Sequence, residues 1–442
     1  MTFPATDGIT DRLQALFAYD ASSPLIFSSG LFLFLFAGFL LVYSAFRRAP
    51  MARIVYVIAF SLYFYYKSSG IYFLLLVFAA ASDFLIARGI YRARFRWTKR
   101  WLVVLSVAVN LGMLGYFKYT NFLIDISNQL FGQGFLQFQN IFLPVGISFF
   151  VFQSMSYTID IYRGQLKPLS NWLDYLFYLS FFPQLVAGPI VRARDFIPQI
   201  RQNPVVVTRE MFGTGVFLIL TGLFKKAIIS DYISLNFVDR IFDDPALYSG
   251  MECLAAVYGY ALQIYCDFSG YSDMAIGLAR MFGFHLLENF NLPFIARSIA
   301  GFWKRWHISL TSWFRDYLYF PLGGSRVSKG RLLFNMGVVW VLTGFWHGAQ
   351  WTYLVWGFLF FVLQAFERFS GAGKWLEKHR IGHLYVFLVV MIASVVSRAD
   401  SIPHALDLYR SMFGLDGSAI FDDTARMFLL SLIHISEPTR LA

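Results

Sequence analysis

The stretch that most constrains the fold of this 442-residue sequence is Phe302–Pro321, which reads FWKRWHISLTSWFRDYLYFP. It places two arginines, a lysine, an aspartate and a histidine among three tryptophans, two tyrosines and three phenylalanines. A solvated loop does not need so many aromatic rings, and a lipid-facing helix cannot bear so many charges. Residues 267–331 share this character. They are predicted to form short helices packed inside the protein at the cytoplasmic membrane face, where basic side chains bury their stems and keep their heads hydrated.

The rest of the chain has the composition of an integral membrane protein. It is 57% hydrophobic and 14% charged, whereas a soluble domain has about 25% charged residues. Apolar stretches recur throughout, and no Gly/Ser-rich or Pro-rich linker divides the chain. We therefore expect an all-α, polytopic integral membrane protein built as one multi-helix domain.

Hydrophobic segments predict where the membrane helices lie. Several are shorter than the roughly 20 residues that a straight crossing needs, so some are expected to be half-helices. Trp172–Ile190 contains FPQLVAGP and is followed almost at once by arginines, which a re-entrant hairpin explains. The segments are Leu25–Phe46, Ile54–Tyr66, Ile71–Ala87, Trp101–Phe117, Ile141–Ile161, Trp172–Ile190, Met211–Phe224, Leu254–Cys266, Leu332–Phe345, Thr352–Phe366 and Leu384–Val396.

Charge distribution and composition predict three regions. Residues 1–24 contain aspartates ahead of the first apolar segment and are expected to be extracytoplasmic or interfacial. Residues 25–429 are expected to form the membrane domain, without its native C-terminal end. Residues 430–442 resemble the translation of a sequencing-library adapter and are expected to be non-native. The net charge of +11 is explained by basic cytoplasmic loops that contact anionic lipid, so no nucleic-acid partner is expected.

Two of the seven histidines are candidates for chemistry. His347 lies between Trp346 and Gly348, directly after an apolar segment. Ionisable residues at such depth are costly and usually face the bundle interior or a water-filled path. The alternative is a core histidine whose ring nitrogens are satisfied by backbone carbonyls.

The second candidate is His307, in KRWHISL. If residues 302–318 form one helix, Trp303 and His307 lie along one stripe of it. Arg305 and Ser309 are then turned away from that stripe. The alternative is an interfacial amphipathic helix with an aromatic belt.

Several kinds of catalytic site have no support in the sequence. It contains no HExxH pair, no GxSxG elbow and no P-loop or dinucleotide-type glycine pattern. The two cysteines, Cys253 and Cys266, predict neither a disulfide framework nor a thiolate metal site. No metal and no bound cofactor are therefore expected. A neutral histidine that takes a proton from an alcohol attacking an acyl group needs neither.

The histidine-bearing motifs resemble those of the membrane-bound O-acyltransferase family. They are FWKRWHISLTSWFRDYLYFPLGG (Phe302–Gly324) and TGFWHGAQWTYLVWG (Thr343–Gly357). The chain is most similar to the bacterial branch that acts in alginate O-acetylation. Three further stretches carry that similarity, namely LPVGISFFVFQSMSYTIDIYRG (Leu143–Gly164), FFPQLVAGPIVR (Phe181–Arg192) and YCDFSGYSDMAIGLARMFGF (Tyr265–Phe284).

This resemblance implies a fold and roles for particular residues. The fold is a ring of about 10–12 transmembrane helices, with re-entrant and short helices, around a tunnel between the two membrane faces. His347 is implied as the general base of acyl transfer and His307 as a second catalytic histidine. Lysine and arginine suit donor phosphates, although positive-inside anchoring explains them equally well. The candidates for lining the tunnel or binding the donor are Trp303, Lys304, Arg305, Ser309, Arg315, Asp316 and Trp346, with Asp316 expected to pair with an arginine.

The implied activity is transfer of an acyl group, expected to be acetyl, for O-acetylation of an exported polysaccharide such as alginate. The donor is expected on the cytoplasmic side, as acetyl-CoA or an acyl thioester on a carrier protein. Extracytoplasmic acetyltransferase proteins and membrane lipid are the other expected partners, and the expected location is the bacterial inner membrane, with multiple passes. Two alternatives stay open: D-alanyl transfer to teichoic acid through an acyl-carrier protein, and a membrane transporter.

Overall fold

The computed structural model describes residues 17–423 and 425–427, and this part of the chain contains helices and no strands. The expected all-α fold is therefore confirmed. Most of the expected N-terminal segment 1–24, and the whole of the expected non-native tail 430–442, lie outside the described residues.

The chain divides into two compact units. The first comprises Met1–Leu223 and Tyr271–Asn289, and the second comprises Phe224–Gly270 and Phe290–Ala442. The longer helices of the first unit are α1 (Gly30–Ala45), α2 (Pro50–Ser69), α3 (Phe73–Arg92), α4 (Arg96–Leu114), α5 (Thr120–Phe131), α6 (Ile147–Tyr162), α7 (Trp172–Ser180), α8 (Ala193–Ile200) and α9 (Arg209–Leu223).

One long helix, α10 (Gly250–Met281), contributes residues to both units. The second unit continues with α11 (Ile308–Phe314), α12 (Lys329–His347), α13 (Trp351–Phe369), α14 (Ala372–Lys378), α15 (Ile381–Arg398) and α16 (Ile402–Met412). Helices of five residues or fewer also occur, at Phe182–Leu185, Asp231–Ile233, Asp239–Asp243 and Ile299–Trp303. Four further segments are π-helical, at Gly115–Tyr119, Phe224–Ser230, Ser234–Val238 and Arg315–Tyr319.

Fewer helices than expected meet the length and hydropathy of a membrane span. Within the described residues four do so, and a fifth is added if α13 and α14, bent by 82°, form one span. The expectation was about 10–12. The difference arises because buried helices such as α6 and α7 are short, with 16 and 9 residues. The four spans are Pro50–Arg92, Arg96–Phe131, Arg209–Asp243 and Ile381–Arg398.

The helices test the predictions for Trp172–Ile190 and for residues 267–331. The segment Trp172–Ile190 is broken, because α7 ends at Ser180 and a four-residue helix follows. At Gly188 a Cβ would lie 2.5 Å from the Cα of Gln184, so only glycine fits this close turn. The prediction of short helices over 267–331 was wrong at its start, because α10 continues to Met281. It was correct from residue 299 onward.

A buried carboxyl group connects four helices of the first unit. Asp83 on α3 is fully buried and accepts hydrogen bonds from Ser106 Oγ (2.6 Å) and Asn110 Nδ2 (2.6 Å) on α4. Ser154 Oγ on α6 donates to the same group and lies 2.9 Å from the Tyr175 hydroxyl on α7. An ionisable group within a membrane span is costly unless its hydrogen-bonding capacity is satisfied. This network therefore fixes how the four helices pack.

Replacing Asp83 with asparagine is expected to lower the thermal midpoint of the protein purified in detergent. The carboxyl group accepts three hydrogen bonds, whereas the NH2 group of the amide can only donate. At least one of the three donors therefore loses its acceptor, which costs about 1–3 kcal/mol for a buried group. The matched control is Asp125→Asn, since this partly exposed carboxylate meets the Gln129 amide at 2.8 Å. Equal midpoints for the two variants would contradict a structural role for the network.

Candidate active site

The aromatic and basic stretch of the second unit is broken by His307. The short helix Ile299–Trp303 ends before it, and α11 begins at Ile308. His307 has φ 46, a left-handed backbone conformation that residues other than glycine rarely adopt. Residues 302–318 therefore do not form the one helix on which the predicted stripe depended, and Trp303 and His307 do not share a helical stripe. Such backbone outliers persist where packing enforces them, and they cluster at functional sites.

A buried glutamate fixes the short helix. Glu367, on α13, is 4% exposed. Its carboxylate accepts hydrogen bonds from the backbone N–H groups of Ile299 (2.6 Å) and Ala300 (3.2 Å). Ser298 Oγ accepts a third, from Gly301 N–H at 2.9 Å. These bonds satisfy the first amides of the helix, which would otherwise be unpaired. Glu367 lies outside the motifs that predicted the site.

His347 is the last residue of α12 and is partly buried. Its Nδ1 lies 2.7 Å from the backbone carbonyl oxygen of Thr343. A carbonyl oxygen can only accept, so Nδ1 carries the proton and Nε2 of the neutral ring presents its lone pair. The rings of Trp346 and Trp356 each lie 4.9 Å from the imidazole, centroid to centroid. The hydrogen bond thus selects the tautomer of the neutral ring, and the two tryptophans restrict its orientation.

His307 and His347 both contact the ring of Trp346. The centroid distances to that ring are 5.9 Å for His307 and 4.9 Å for His347. His307 is 1% exposed and packs edge to face against Phe268 at 4.6 Å. Burial, and to a lesser degree the nearby His347, hold the pKa of His307 well below its ordinary value. His307 is therefore neutral near pH 7.

Close backbone packing of α12 against α13 positions His347. A Cβ at Gly344 would lie 2.3 Å from the carbonyl oxygen of Tyr353, and one at Gly357 would lie 2.5 Å from that of Trp340. At Gly348 a Cβ would overlap the Tyr353 ring at 1.9 Å. Glycine lets two helices approach to this distance. The three glycines thus set the place of the helix end that carries the imidazole.

A cavity of about 380 Å³ lies in the second unit, beside these residues. It is mostly apolar, and three basic side chains, Lys304, Arg315 and Arg368, contribute to its lining. Thr343, whose carbonyl holds His347, also lines it. The other lining residues are Ala300, Trp303, Ile308, Leu310, Thr311, Ser312, Phe314, Tyr319, Met336, Val339, Trp340 and Gln364.

The cavity contains only part of the predicted site. Trp303, Lys304 and Arg315 line it, and Arg368, which the sequence analysis did not single out, joins them. The other six predicted residues do not line this cavity. They are the two histidines, His307 and His347, and four of the tunnel candidates, namely Arg305, Ser309, Asp316 and Trp346.

These four residues have other surroundings. The Arg305 guanidinium donates to the carbonyl oxygen of Asn291 at 3.1 Å. Asp316 pairs with Arg315 at 2.7 Å, as expected. Ser309 is 2% exposed, and Trp346 is the ring that both histidines contact. In the part of the chain that the structure describes, no three His, Cys, Asp or Glu side chains converge as metal ligands.

Comparison with known proteins identifies the family of this chain. The sequence model of the membrane-bound O-acyltransferase family matches residues 158–373, which include both histidines. The chain is 39% identical to a probable alginate O-acetylase, AlgI, of Azotobacter vinelandii, over 92% of this chain and 82% of that protein. The chain belongs to the membrane-bound O-acyltransferase family. It is therefore a membrane enzyme that transfers acyl groups, as its histidine-bearing motifs indicated.

Two other relatives of this acyltransferase are named for other acceptor polymers. It is 34% identical to a peptidoglycan O-acetyltransferase of Helicobacter pylori, over 90% of this chain and 81% of that protein. It is 32% identical to a teichoic acid D-alanyltransferase of Bacillus subtilis, over 54% of this chain and 64% of that protein. The similarity to the O-acetyltransferases thus covers much more of the chain.

The buried His307 predicts how the stability of this acyltransferase depends on pH. His307 lies outside the candidate membrane spans, and its pKa in the folded protein is below the ordinary value of 6.5. As pH falls below about 6.5, the unfolded chain takes up a proton that the folded site resists, so stability decreases by up to about 1.4 kcal/mol per pH unit. The thermal midpoint of His307→Gln should therefore fall less than that of the wild type between about pH 7.5 and about pH 5.

The control for this experiment is His379→Gln, which changes an exposed histidine. This variant should lose stability with falling pH as steeply as the wild type does. Equal slopes for His307→Gln and the wild type would show that His307 does not titrate in this way.

Proposed function

We propose that this acyltransferase moves an acetyl group from a cytoplasmic thioester for O-acetylation of an exported, alginate-like polysaccharide, with His347 as general base. The hydrogen bond from His347 Nδ1 to the Thr343 carbonyl carries the proposal, because it makes Nε2 the basic nitrogen of the neutral ring. The acetyl group and the polysaccharide acceptor are favoured by the names of the relatives that cover most of the chain.

In the proposed reaction, Nε2 of His347 removes the proton of an acceptor hydroxyl as its oxygen attacks the thioester carbonyl. A C–O bond forms and a tetrahedral intermediate results. The C–S bond then breaks, and the leaving thiolate takes the proton back from Nε2. His347 is transiently an imidazolium, and a charged His307 would repel it. The neutrality of His307, which burial maintains, therefore favours the proton transfer.

The three basic side chains of the cavity suit a phosphate-bearing donor. Lys304, Arg315 and Arg368 lie on a cavity whose other lining is mostly apolar. Its volume of about 380 Å³ is in the range of small-molecule pockets, about 300–1,000 Å³. Arginine and lysine bind phosphate oxygens strongly. Coenzyme A, or the phosphopantetheine arm of a carrier protein, supplies such phosphates next to its thioester.

The proposed location is the bacterial inner membrane. A multi-pass position in the bacterial inner membrane gives the donor access from the cytoplasm, and extracytoplasmic acetyltransferase proteins would complete transfer to the polymer. The four candidate spans of the described residues are consistent with several passes. Family membership leaves the transporter alternative without support.

D-alanyl transfer to teichoic acid is the second candidate. It rests on the 32% identity to a teichoic acid D-alanyltransferase. The two activities differ in donor and acceptor, so supplying purified enzyme with either acetyl-CoA or a D-alanyl carrier protein distinguishes them.

Replacing His347 with alanine is expected to abolish acetyl transfer to polymer, because no other group would take the hydroxyl proton. The measurement is polymer acetylation in cells whose own gene has been deleted, with membrane levels of each variant checked. The matched control is His379→Ala, since His379 Nδ1 also lies 2.7 Å from a backbone carbonyl, that of Trp375, on the protein surface. Wild-type acetylation in the His347 variant would rule out the assigned base.

Replacing Arg368 with glutamine is expected to raise KM for acetyl-CoA about tenfold with kcat little changed, because a charge-assisted hydrogen bond to phosphate is lost. With S-acetylpantetheine, which has no phosphate, the variant and the wild type should have the same KM. Arg380→Gln, at an exposed position outside the cavity, is the control. An equal loss with both donors would show that Arg368 does not bind phosphate.

A further inference from the structure

The indole N–H of Trp303 is a buried donor that the protein leaves without an acceptor. Trp303 is 5% exposed and lines the cavity of the second unit. Among the described residues, its Nε1 has no hydrogen-bond partner. Most buried polar groups in proteins are paired, and an unpaired one is destabilising. An unpaired donor beside a cavity indicates that the acceptor belongs to the ligand.

A second tryptophan of the same cavity shows that pairing is possible there. Trp340 also lines the cavity, and its Nε1 donates to Gln364 Oε1 at 3.1 Å. The two rings touch, with centroids 5.1 Å apart. A side chain of the cavity lining thus accepts the hydrogen bond of the Trp340 N–H group, whereas the N–H group of the neighbouring Trp303 has no acceptor among the described residues.

Packing holds the Trp303 ring in place. It makes near-perpendicular ring contacts with Trp356 at 5.6 Å and with Phe360 at 5.2 Å, in addition to Trp340. Its helix is fixed from the other end by the Glu367 carboxylate. A donor held this firmly does not have to be reoriented when a ligand arrives.

The ring of Trp303 is also close to the proposed base. Trp356 contacts Trp303 at 5.6 Å and His347 at 4.9 Å, so both lie against one ring. Thr343 lines the cavity with Trp303, and its carbonyl oxygen holds His347. His347 itself does not line the cavity, but the Trp356 ring and Thr343 connect it to the lining. A thioester whose carbonyl lies at the Trp303 end of the cavity would therefore be on the side of the proposed base.

We propose that the Trp303 N–H donates a hydrogen bond to the carbonyl oxygen of the donor thioester. The inference rests on the proposed function and deepens it. In the transfer step, this oxygen gains negative charge as the acceptor oxygen bonds to the carbonyl carbon. It loses that charge when the C–S bond breaks. The N–H proton stays on the indole throughout, and its hydrogen bond is strongest when the charge is greatest.

The test compares two coenzyme A thioethers that cannot transfer an acyl group. Acetonyl-CoA carries a ketone near the position of the thioester carbonyl, and propyl-CoA has none. Trp303→Phe keeps an aromatic ring and removes the N–H group. It should weaken binding of acetonyl-CoA about tenfold, leave binding of propyl-CoA unchanged, and lower kcat for acetyl transfer about 100-fold.

The matched control is Trp340→Phe, which removes the N–H group that the protein itself satisfies. This variant should change the affinities for the two probes by the same factor. Equal affinity of Trp303→Phe and the wild type for acetonyl-CoA would overturn the inference. An equal loss for both probes would overturn it too, because it would mean that Trp303 acts through ring packing.

A measurement on the wild type needs no variant. The infrared band of carbonyl-¹³C acetonyl-CoA should shift to lower frequency on binding, relative to an apolar solvent, and an unshifted band would overturn the inference. An unshifted band in a wild type that still binds propyl-CoA and transfers acetyl would contradict the role of Trp303 and leave the proposed donor intact. If the wild type binds neither probe and transfers nothing from acetyl-CoA, the proposed donor fails as well.

Discussion

An unpaired polar group that is shielded from water is costly, and this constraint fixes the geometry of both units of the acyltransferase. Asp83 collects hydrogen bonds from two other helices of the first unit. In the second unit, Glu367 satisfies the amides of the short helix that carries Trp303, and Thr343 orients His347. In an aqueous setting water would satisfy these groups, and none of them would fix a geometry.

The two histidines illustrate how the same constraint separates chemical roles. His347 is partly buried, and its Nδ1 bonds to the Thr343 carbonyl, so Nε2 is the basic nitrogen of the neutral ring. His307 is 1% exposed and neutral, because burial disfavours its charged form. One residue can therefore exchange a proton while the other adds no charge beside it. Both contact one ring, that of Trp346.

Much of this could be predicted from local sequence, and the rest depends on contacts that are distant along the chain. Hydropathy located the helices, and the motif around His347 located the candidate base at the end of α12. The break at His307 was missed, because the periodicity of 302–318 is compatible with one helix and the left-handed backbone depends on packing. Arg305 was assigned with its basic neighbours, yet its guanidinium bonds to the carbonyl of Asn291.

The three residues that were not predicted, Asp83, Glu367 and Arg368, are charged residues within or next to apolar segments. Asp83 is a lone acidic residue within an apolar segment, and Glu367 and Arg368 directly follow another. A charged residue at such a position indicates a buried partner or a functional site, but its identity depends on the fold. Ile299, which bonds to Glu367, is 68 residues away in sequence.

The close contact of α12 with α13 divides the cavity into a fixed side and an adjustable side. No side chain fits at Gly344, Gly348 or Gly357, so this helical hairpin can hardly change without displacing the imidazole. Ile308, Thr311 and Ser312 of α11 also line the cavity, are partly exposed, and are subject neither to that limit nor to the bonds that fix Trp303. Redesign of the enzyme for a bulkier acyl group should therefore begin with these three residues, since the hairpin tolerates no added volume.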